Sequence, residues 1–201
     1  VGFEYRLQPE DQVSVYPVFE SLDIGPVTRL RPQPLRQPKF VCDVHLGKLA
    51  RRLRLLGFDV AYQNMATDPE LVETALAEQR TILTQDRGIL KLKRVTHGYL
   101  VRSPHVQEQV VEVIKRFDLL ARIDPFSRCT QCNGLIMSVD KADVQDDLPP
   151  KTREYYREFF RCQACGKVYW KGPHFSRLEA EVRQLVSQGA EPQDRPAMTT
   201  T

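Results

Sequence analysis

The chain has 201 residues, enough for one large domain or two small ones with a core that needs no disulfide support. Its 29 Lys and Arg against 26 Asp and Glu leave a net charge of +3, too small to imply a polyanionic partner except through local clustering. No apolar run approaches the roughly 18 residues of a membrane span, and Val1-Gly2-Phe3-Glu4-Tyr5 lacks the basic-then-apolar layout of a signal peptide.

The chain opens without Met and is read as part of a longer one. Residues 1–38 are Pro-rich. They hold one candidate strand, Gln12-Val13-Ser14-Val15-Tyr16, and then an extended linker from Arg29 to Pro38. Residues 39–127 alternate strand and helix signals. Phe40-Val41-Cys42 is an apolar strand ending at Asp43; Leu46, Leu49, Leu53 and Leu56 follow at helical spacing, with Gly57 as the stop. Val60-Ala61-Tyr62 is a weaker strand. Thr67-Asp68-Pro69-Glu70 is a helix start, and Thr81-Ile82-Leu83-Thr84 is a strand that stops at Asp86. Gly98-Tyr99-Leu100-Val101 is a further strand, and Val106, Val110, Val113, Ile114 and Phe117 share one helical face. Repeated strand–helix units with short loops predict an α/β domain with a parallel, doubly wound sheet. Residues 128–180 hold paired cysteines, and 181–201 are predicted to be a polar, partly disordered tail.

The cysteines carry the strongest signal. Cys129-Thr130-Gln131-Cys132 and Cys162-Gln163-Ala164-Cys165 form two C-x-x-C pairs, while Cys42 sits in an apolar run as a buried small residue. Without a secretion signal the thiols are read as reduced and the compartment as cytoplasmic. A two-residue gap turns both sulfurs toward one ion, and two such turns complete a tetrahedron that suits zinc. Four thiolates leave no open position, so this zinc is structural. Gly134 and Gly166, just after the pairs, let the turns close. The 29 residues between the pairs imply a helix or hairpin insert.

Asp43 and Asp86 each follow a strand, and open parallel sheets bind ligands beyond the carboxyl ends of their strands. Two aspartates together there repel each other unless a cation lies between them. A hard divalent ion, Mg²⁺ or Mn²⁺, suits the position. Asp68, at a helix start near the same edge, is the candidate third ligand; helix capping and ordinary loop acids are the plainer alternative. Lys48, Arg51, Arg52 and Arg54 follow Asp43, and Arg87, Lys91, Lys93, Arg94 and Arg102 follow Asp86, with no acid between them in either run. Acids that hold a metal, ringed by cations, is the layout expected for phosphodiester cleavage, with a solvated helix face as the alternative. Tyr169-Trp170-Lys171, His174, Phe175 and Arg177 offer stacking and phosphate contacts, but packing of Trp170 between the ribbon and the sheet domain is the favoured reading.

Three segments carry a family resemblance: residues 40–51 (Phe-Val-Cys-Asp-Val-His-Leu-Gly-Lys-Leu-Ala-Arg), residues 53–59 (Leu-Arg-Leu-Leu-Gly-Phe-Asp) and Ile82-Leu83-Thr84-Gln85-Asp86-Arg87. With the paired cysteines and Val168-Tyr169-Trp170-Lys171-Gly172, they resemble the Mut-seven C-terminal ribonuclease family of PIN-like nucleases with an appended zinc ribbon. The resemblance implies a PIN-like sheet flanked by helices. It also implies Asp43, Asp68 and Asp86 as acidic metal-binding residues, with Arg87 as the basic residue beside the last. Glu70 competes with Asp68 for the second acid, and Gln85 departs from the Arg usual in the family. Residues 3–24 are similar to the last strands of a ubiquitin-like (β-grasp) domain. The expected activity is that of a metal-dependent ribonuclease whose RNA backbone is held by Lys48, Arg51, Arg52, Arg54, Arg87, Lys91 and Lys93. RNA is the expected partner, with a ribosome or tRNA as the candidate context and no membrane. The rival is a catalytically inactive scaffold that a zinc ribbon attaches to RNA or a ribosome. A small-phosphoester phosphatase is the weaker third, since a small substrate needs no long basic surface.

Overall fold

The computed structural model describes residues 38–190. The candidate strand at 12–16, the Pro-rich stretch before residue 38, the ubiquitin-like similarity and residues 191–201 lie outside the described residues. Four parallel strands, β1 (Lys39–Cys42), β2 (Asp59–Tyr62), β3 (Thr81–Thr84) and β4 (Gly98–Leu100), form a sheet in the order β2-β1-β3-β4. β1 lies inside the sheet and is covered on both faces, which explains its unbroken apolar run. Phe40 and Cys42 point to one face with Leu49 and Leu53 of α1 (Gly47–Leu55) and Val110, Val113 and Ile114 of α4 (Val106–Arg116). Val41 points to the other with Leu71, Val72 and Ala75 of α2 (Asp68–Ala77) and Ile89 of α3 (Arg87–Leu90). This is the doubly wound arrangement predicted from the strand–helix alternation, and its strand order reverses between β1 and β3.

α1 stops where expected. Gly57 adopts φ +95°, and a Cβ there would lie 2.2 Å from the Asp124 carbonyl oxygen, so only glycine lets the chain turn into β2 while residues 124–126 cross the helix end. On the α4 side, Phe117 sets its ring edge-on to Phe40, with centroids 5.1 Å apart.

The cysteine-bearing segment forms a second, antiparallel sheet of β5 (Ile136–Val139), β6 (Phe159–Cys162) and β7 (Val168–Trp170), with β6 in the middle. The insert between the cysteine pairs is both hairpin and helix: the β5–β6 pair encloses α5 (Lys141–Val144) and α6 (Pro150–Tyr155). Val144, Leu148 and Phe159 make a small core of the ribbon's own, and Trp170 packs against it. Trp170 therefore does not bridge the ribbon and the sheet domain: the insert supplies the apolar surface that covers it. α7 (Phe175–Ala190) corrects the predicted tail. Val182 and Leu185 are buried in the same cluster as α4, so the chain from 181 to 190 is packed helix rather than polar tail. The sheet domain and the ribbon belong to one compact unit. Among the described residues no helix is long and apolar enough to cross a membrane.

Candidate active edge and metal centre

The parallel strands deliver Asp43 and Asp86 to the ends of β1 and β3, the two strands that flank the reversal in strand order. Asp43 is buried, at 4% exposure. Its Oδ1 accepts from the His45 N–H at 2.8 Å, which starts the short 3-10 turn Val44–Leu46. Its Oδ2 accepts from the Thr84 hydroxyl and from the Gln85 N–H, the latter at 3.1 Å. The same Thr84 oxygen accepts from the Asp86 N–H at 2.9 Å, so one buried hydroxyl joins the two acids. Asp86 is exposed and caps α3 through Oδ1, which accepts from the Gly88 N–H at 2.6 Å. No Lys or Arg pairs with Asp43 among the described residues. Asp43 is thus a buried carboxylate whose bonds come only from neutral donors.

Asp68 is the first residue of α2, exposed on the loop side of the same edge. The neighbouring Glu70 is engaged locally: its Oε2 accepts from the Thr67 N–H at 2.8 Å and the Thr67 hydroxyl at 2.9 Å. The first bond is one half of the capping box at the start of α2, and together the two hold the Glu70 carboxyl below its usual range. Thr84 thus ties the Asp43 carboxylate to the Asp86 backbone, while Asp68 stands on the flanking loop, and the three acids form no tight cluster among the described residues. A fourth loop joins this edge: Gln85 donates from its side-chain amide to the Ser103 carbonyl at 3.0 Å. Glu112 holds the backbone there by accepting from the N–H groups of Arg102 and Ser103.

The cations divide. Lys48 and Arg51 are exposed on α1 near the acid edge, and Arg87, Lys91 and Lys93 are exposed on and after α3. Arg52 is partly committed, its guanidinium 2.8 Å from Glu181 of α7. Arg54 is a correction. It is 3% exposed and donates to the Val60 carbonyl at 2.8 Å and to the Gln131 and Thr130 carbonyls at 2.9 and 3.3 Å. It lies one helical turn past Ala50 on the buried stripe of α1, so it faces protein rather than RNA.

The four cysteine sulfurs lie within 4.8 Å of one another. Cys129 and Cys165 are 3.8 Å apart and Cys132 and Cys162 are 3.4 Å apart, close to the ~3.8 Å between sulfurs of a tetrahedral site with Zn–S near 2.3 Å. The cluster could hold a zinc ion. The Cys132 N–H points at Cys129 Sγ at 3.5 Å, and the Gly134 N–H at Cys132 Sγ at 3.4 Å. A Cβ at Gly134 would come within 2.8 Å of Cys162 Sγ. The Tyr169 hydroxyl lies 3.0 Å from Cys129 Sγ. Burial works against the Cys129 thiolate, but these donors outweigh it and bring the group down to about 6.

A family model described as the Mut7-C RNAse domain matches residues 38–182. The chain belongs to the Mut7-C RNAse domain family. The match spans both the parallel sheet and the ribbon. The human protein named "Exonuclease mut-7 homolog" is 25% identical over 237 aligned residues, covering 79% of this chain and 27% of that relative; the chain thus spans about a quarter of the relative's length. No solved structure matches.

In this Mut7-C chain several supporting residues went unnoticed in the sequence. Thr84 was legible in principle, because a threonine two residues before an aspartate can turn its hydroxyl back onto that residue's N–H. Asn133, Asp59, Arg80 and Arg128 gave no such signal. Asp59 Oδ1 accepts from Arg80 at 2.6 Å and from Asn133 Nδ2 at 2.7 Å, contacts between residues 21 and 74 positions apart in the chain. Cys42 is buried as expected, and burial raises its thiol far above the ordinary range.

Proposed function

We propose that this chain is a metal-dependent ribonuclease, with Asp43 and Asp86 as the central acids, Asp68 as the third, and a structural zinc ion on Cys129, Cys132, Cys162 and Cys165. The observation that carries the reading is the buried, cation-free Asp43 joined to Asp86 through Thr84 at the point where the strand order reverses. Membership of an RNase-domain family supports the same activity. A bound Mg²⁺ or Mn²⁺ would supply an activated water and charge stabilisation at the phosphorus.

The protein's own residues set up that chemistry. Thr84, Gln85 and His45 fix the Asp43 carboxylate in one orientation, so it needs no reorganisation when the substrate arrives. The Gly88 N–H holds Asp86 at the start of α3. Arg87 stands beside Asp86, where a cation stabilises charge on a phosphate. Lys48, Arg51, Lys91 and Lys93 offer backbone contacts that give affinity without sequence choice.

Purified protein incubated with single-stranded and structured RNA, with Mn²⁺ or Mg²⁺ and with chelator, beside Asp86→Asn, tests the proposal. Cleavage should require the metal and vanish in the variant. Equal cleavage by wild type and variant overturns the site, and tight binding without cutting by either supports the inactive scaffold instead.

A further inference from the structure

β2 is an outer strand of the sheet, and an outer strand leaves alternate N–H and C=O groups unpaired. Here both outward groups of Val60 are occupied by residues tied to the first cysteine turn. Asn133, one residue past Cys132, accepts from the Val60 N–H at 2.9 Å and donates to Asp59 at 2.7 Å. Arg54 donates to the Val60 carbonyl and, from its other end, to carbonyls inside the C-x-x-C turn. Arg128 closes the ring, with Nη1 3.0 Å from the Asn133 carbonyl and Nη2 3.6 Å from Asp59. Asn133 has φ +73°, a left-handed conformation that asparagine tolerates better than most residues. The turn that sets this conformation is the turn that brings the Cys129 and Cys132 sulfurs together.

We propose that the first cysteine turn is a metal-dependent clamp on the open edge of β2, with Asn133 as its positioning residue, so that zinc occupancy of the ribbon sets the order of β2 and of residues 63–67 leading to Asp68. Zinc binding fixes the two thiolates and therefore the backbone of residues 130–133 between and beside them. β2 has four residues, about 13 Å at the usual rise, and the loop toward Asp68 starts at its far end. A cavity of about 240 Å³, lined by Cys132 and Asn133 and by Gln63, Ala66 and Thr74, lies between the turn and that loop. The loop is therefore held through the strand rather than by close packing against the turn. The clamp stands on geometry alone; its consequence for Asp68 rests on the nuclease reading above.

Hydrogen exchange on the full chain tests this, comparing zinc-loaded wild type, protein stripped with a chelator, and zinc-loaded Asn133→Ala, which keeps all four thiolates. The Val60 amide should exchange at least about tenfold faster in both perturbed samples, with residues 63–67 following while β1 and β3 keep their protection. Verified zinc release with no change at Val60 overturns the proposal. A response to stripping that Asn133→Ala does not reproduce overturns the role of Asn133. If Val60 responds but RNA cleavage is absent throughout, the clamp stands and the nuclease reading fails.

Discussion

Replacing Arg54 by Met separates the structural cation from the nucleic-acid cations. Methionine keeps most of the apolar stem and removes the guanidinium. Burial already lowers the arginine's pKa from its ordinary value, as expected for a cation held mainly by carbonyl dipoles. The substitution strips donors from three carbonyls, two of them at 2.8 and 2.9 Å and one at 3.3 Å. Each short charge-assisted bond contributes about 1.5–3 kcal/mol, and water can replace part of the loss at the exposed Gln131, so the net cost is about 3 kcal/mol. For a unit of this size each kcal/mol moves the midpoint by about 2–4 °C, which gives a fall of roughly 6–12 °C by scanning fluorimetry or calorimetry. RNA affinity, measured well below the new midpoint, should stay within about twofold, since a buried side chain makes no phosphate contact. Lys48→Met and Arg51→Met should do the reverse. Their melting should stay within about 0.5 kcal/mol of wild type, while binding weakens and the salt slope falls by about one for each cation removed. An Arg54→Met protein that melts with the wild type yet loses RNA affinity would refute this reasoning.

Three further outcomes follow from the same geometry. Burial pushes the Asp59 carboxyl up, but hydrogen bonds from Arg80 and Asn133 and the charges of Arg80 and Arg128 outweigh it and hold it below its ordinary value of 3.8. A depressed carboxylate contributes its full stability above the unfolded value and loses it as pH falls through the folded one. Melting curves of wild type and Asp59→Asn should therefore keep a constant gap near neutral pH and converge below about pH 4; a gap that persists to the acid limit would count against it. Thr84→Val removes the hydroxyl donor to the buried Asp43 and should cost about 1–3 kcal/mol in chemical denaturation, along with RNA cleavage. Thr84→Ser should keep both; equal behaviour of the two variants removes the hydroxyl from the account. Tyr169→Phe takes a donor from Cys129 Sγ and should weaken zinc retention against a competing chelator by about 10–100-fold; unchanged retention means that the hydroxyl does not support the site.

What could be read from the sequence was local. The β1 apolar run, the helical spacing of Leu49 and Leu53, the Thr67–Glu70 helix start and both C-x-x-C turns are short-range patterns, and each appears where its spacing put it. The placement of Asp43 and Asp86 beyond the ends of β1 and β3 was also legible, because a strand ending in an acid is visible in sequence and the parallel topology brings such ends to one edge. Arg54 was misread because run-of-charge counting ignores helical phase: four residues past Ala50, it falls on the buried stripe. The packed helix α7 was missed for a related reason. Val182, Leu185 and Val186 stand in an otherwise polar stretch, and they become a core face once α4 is there to receive them. Trp170 could have been placed against either surface, and the choice depended on the apolar residues of an insert read only as a helix or hairpin.

Helix direction separates the cations of one basic segment. α1 begins beside Asp43, at the carboxyl edge of the sheet, and ends just before Asp59, whose partner in register is Lys39 at the opposite edge. Six steps of helix cover about 9 Å, so Lys48 stands toward the acid edge and Arg54 toward the opposite one. The first cysteine turn docks at the Arg54 end. Among the described residues no hydrogen bond or ion pair ties it to the three acids, and it reaches them through β2, α1 and the Asp59–Arg80 pair, whose guanidinium also donates to the Phe40 carbonyl of β1. Loss of zinc should therefore reach the acid edge as a loosening of the strand that leads to Asp68, while the Asp43–Thr84–Asp86 link, carried by β1 and β3 in the sheet interior, persists.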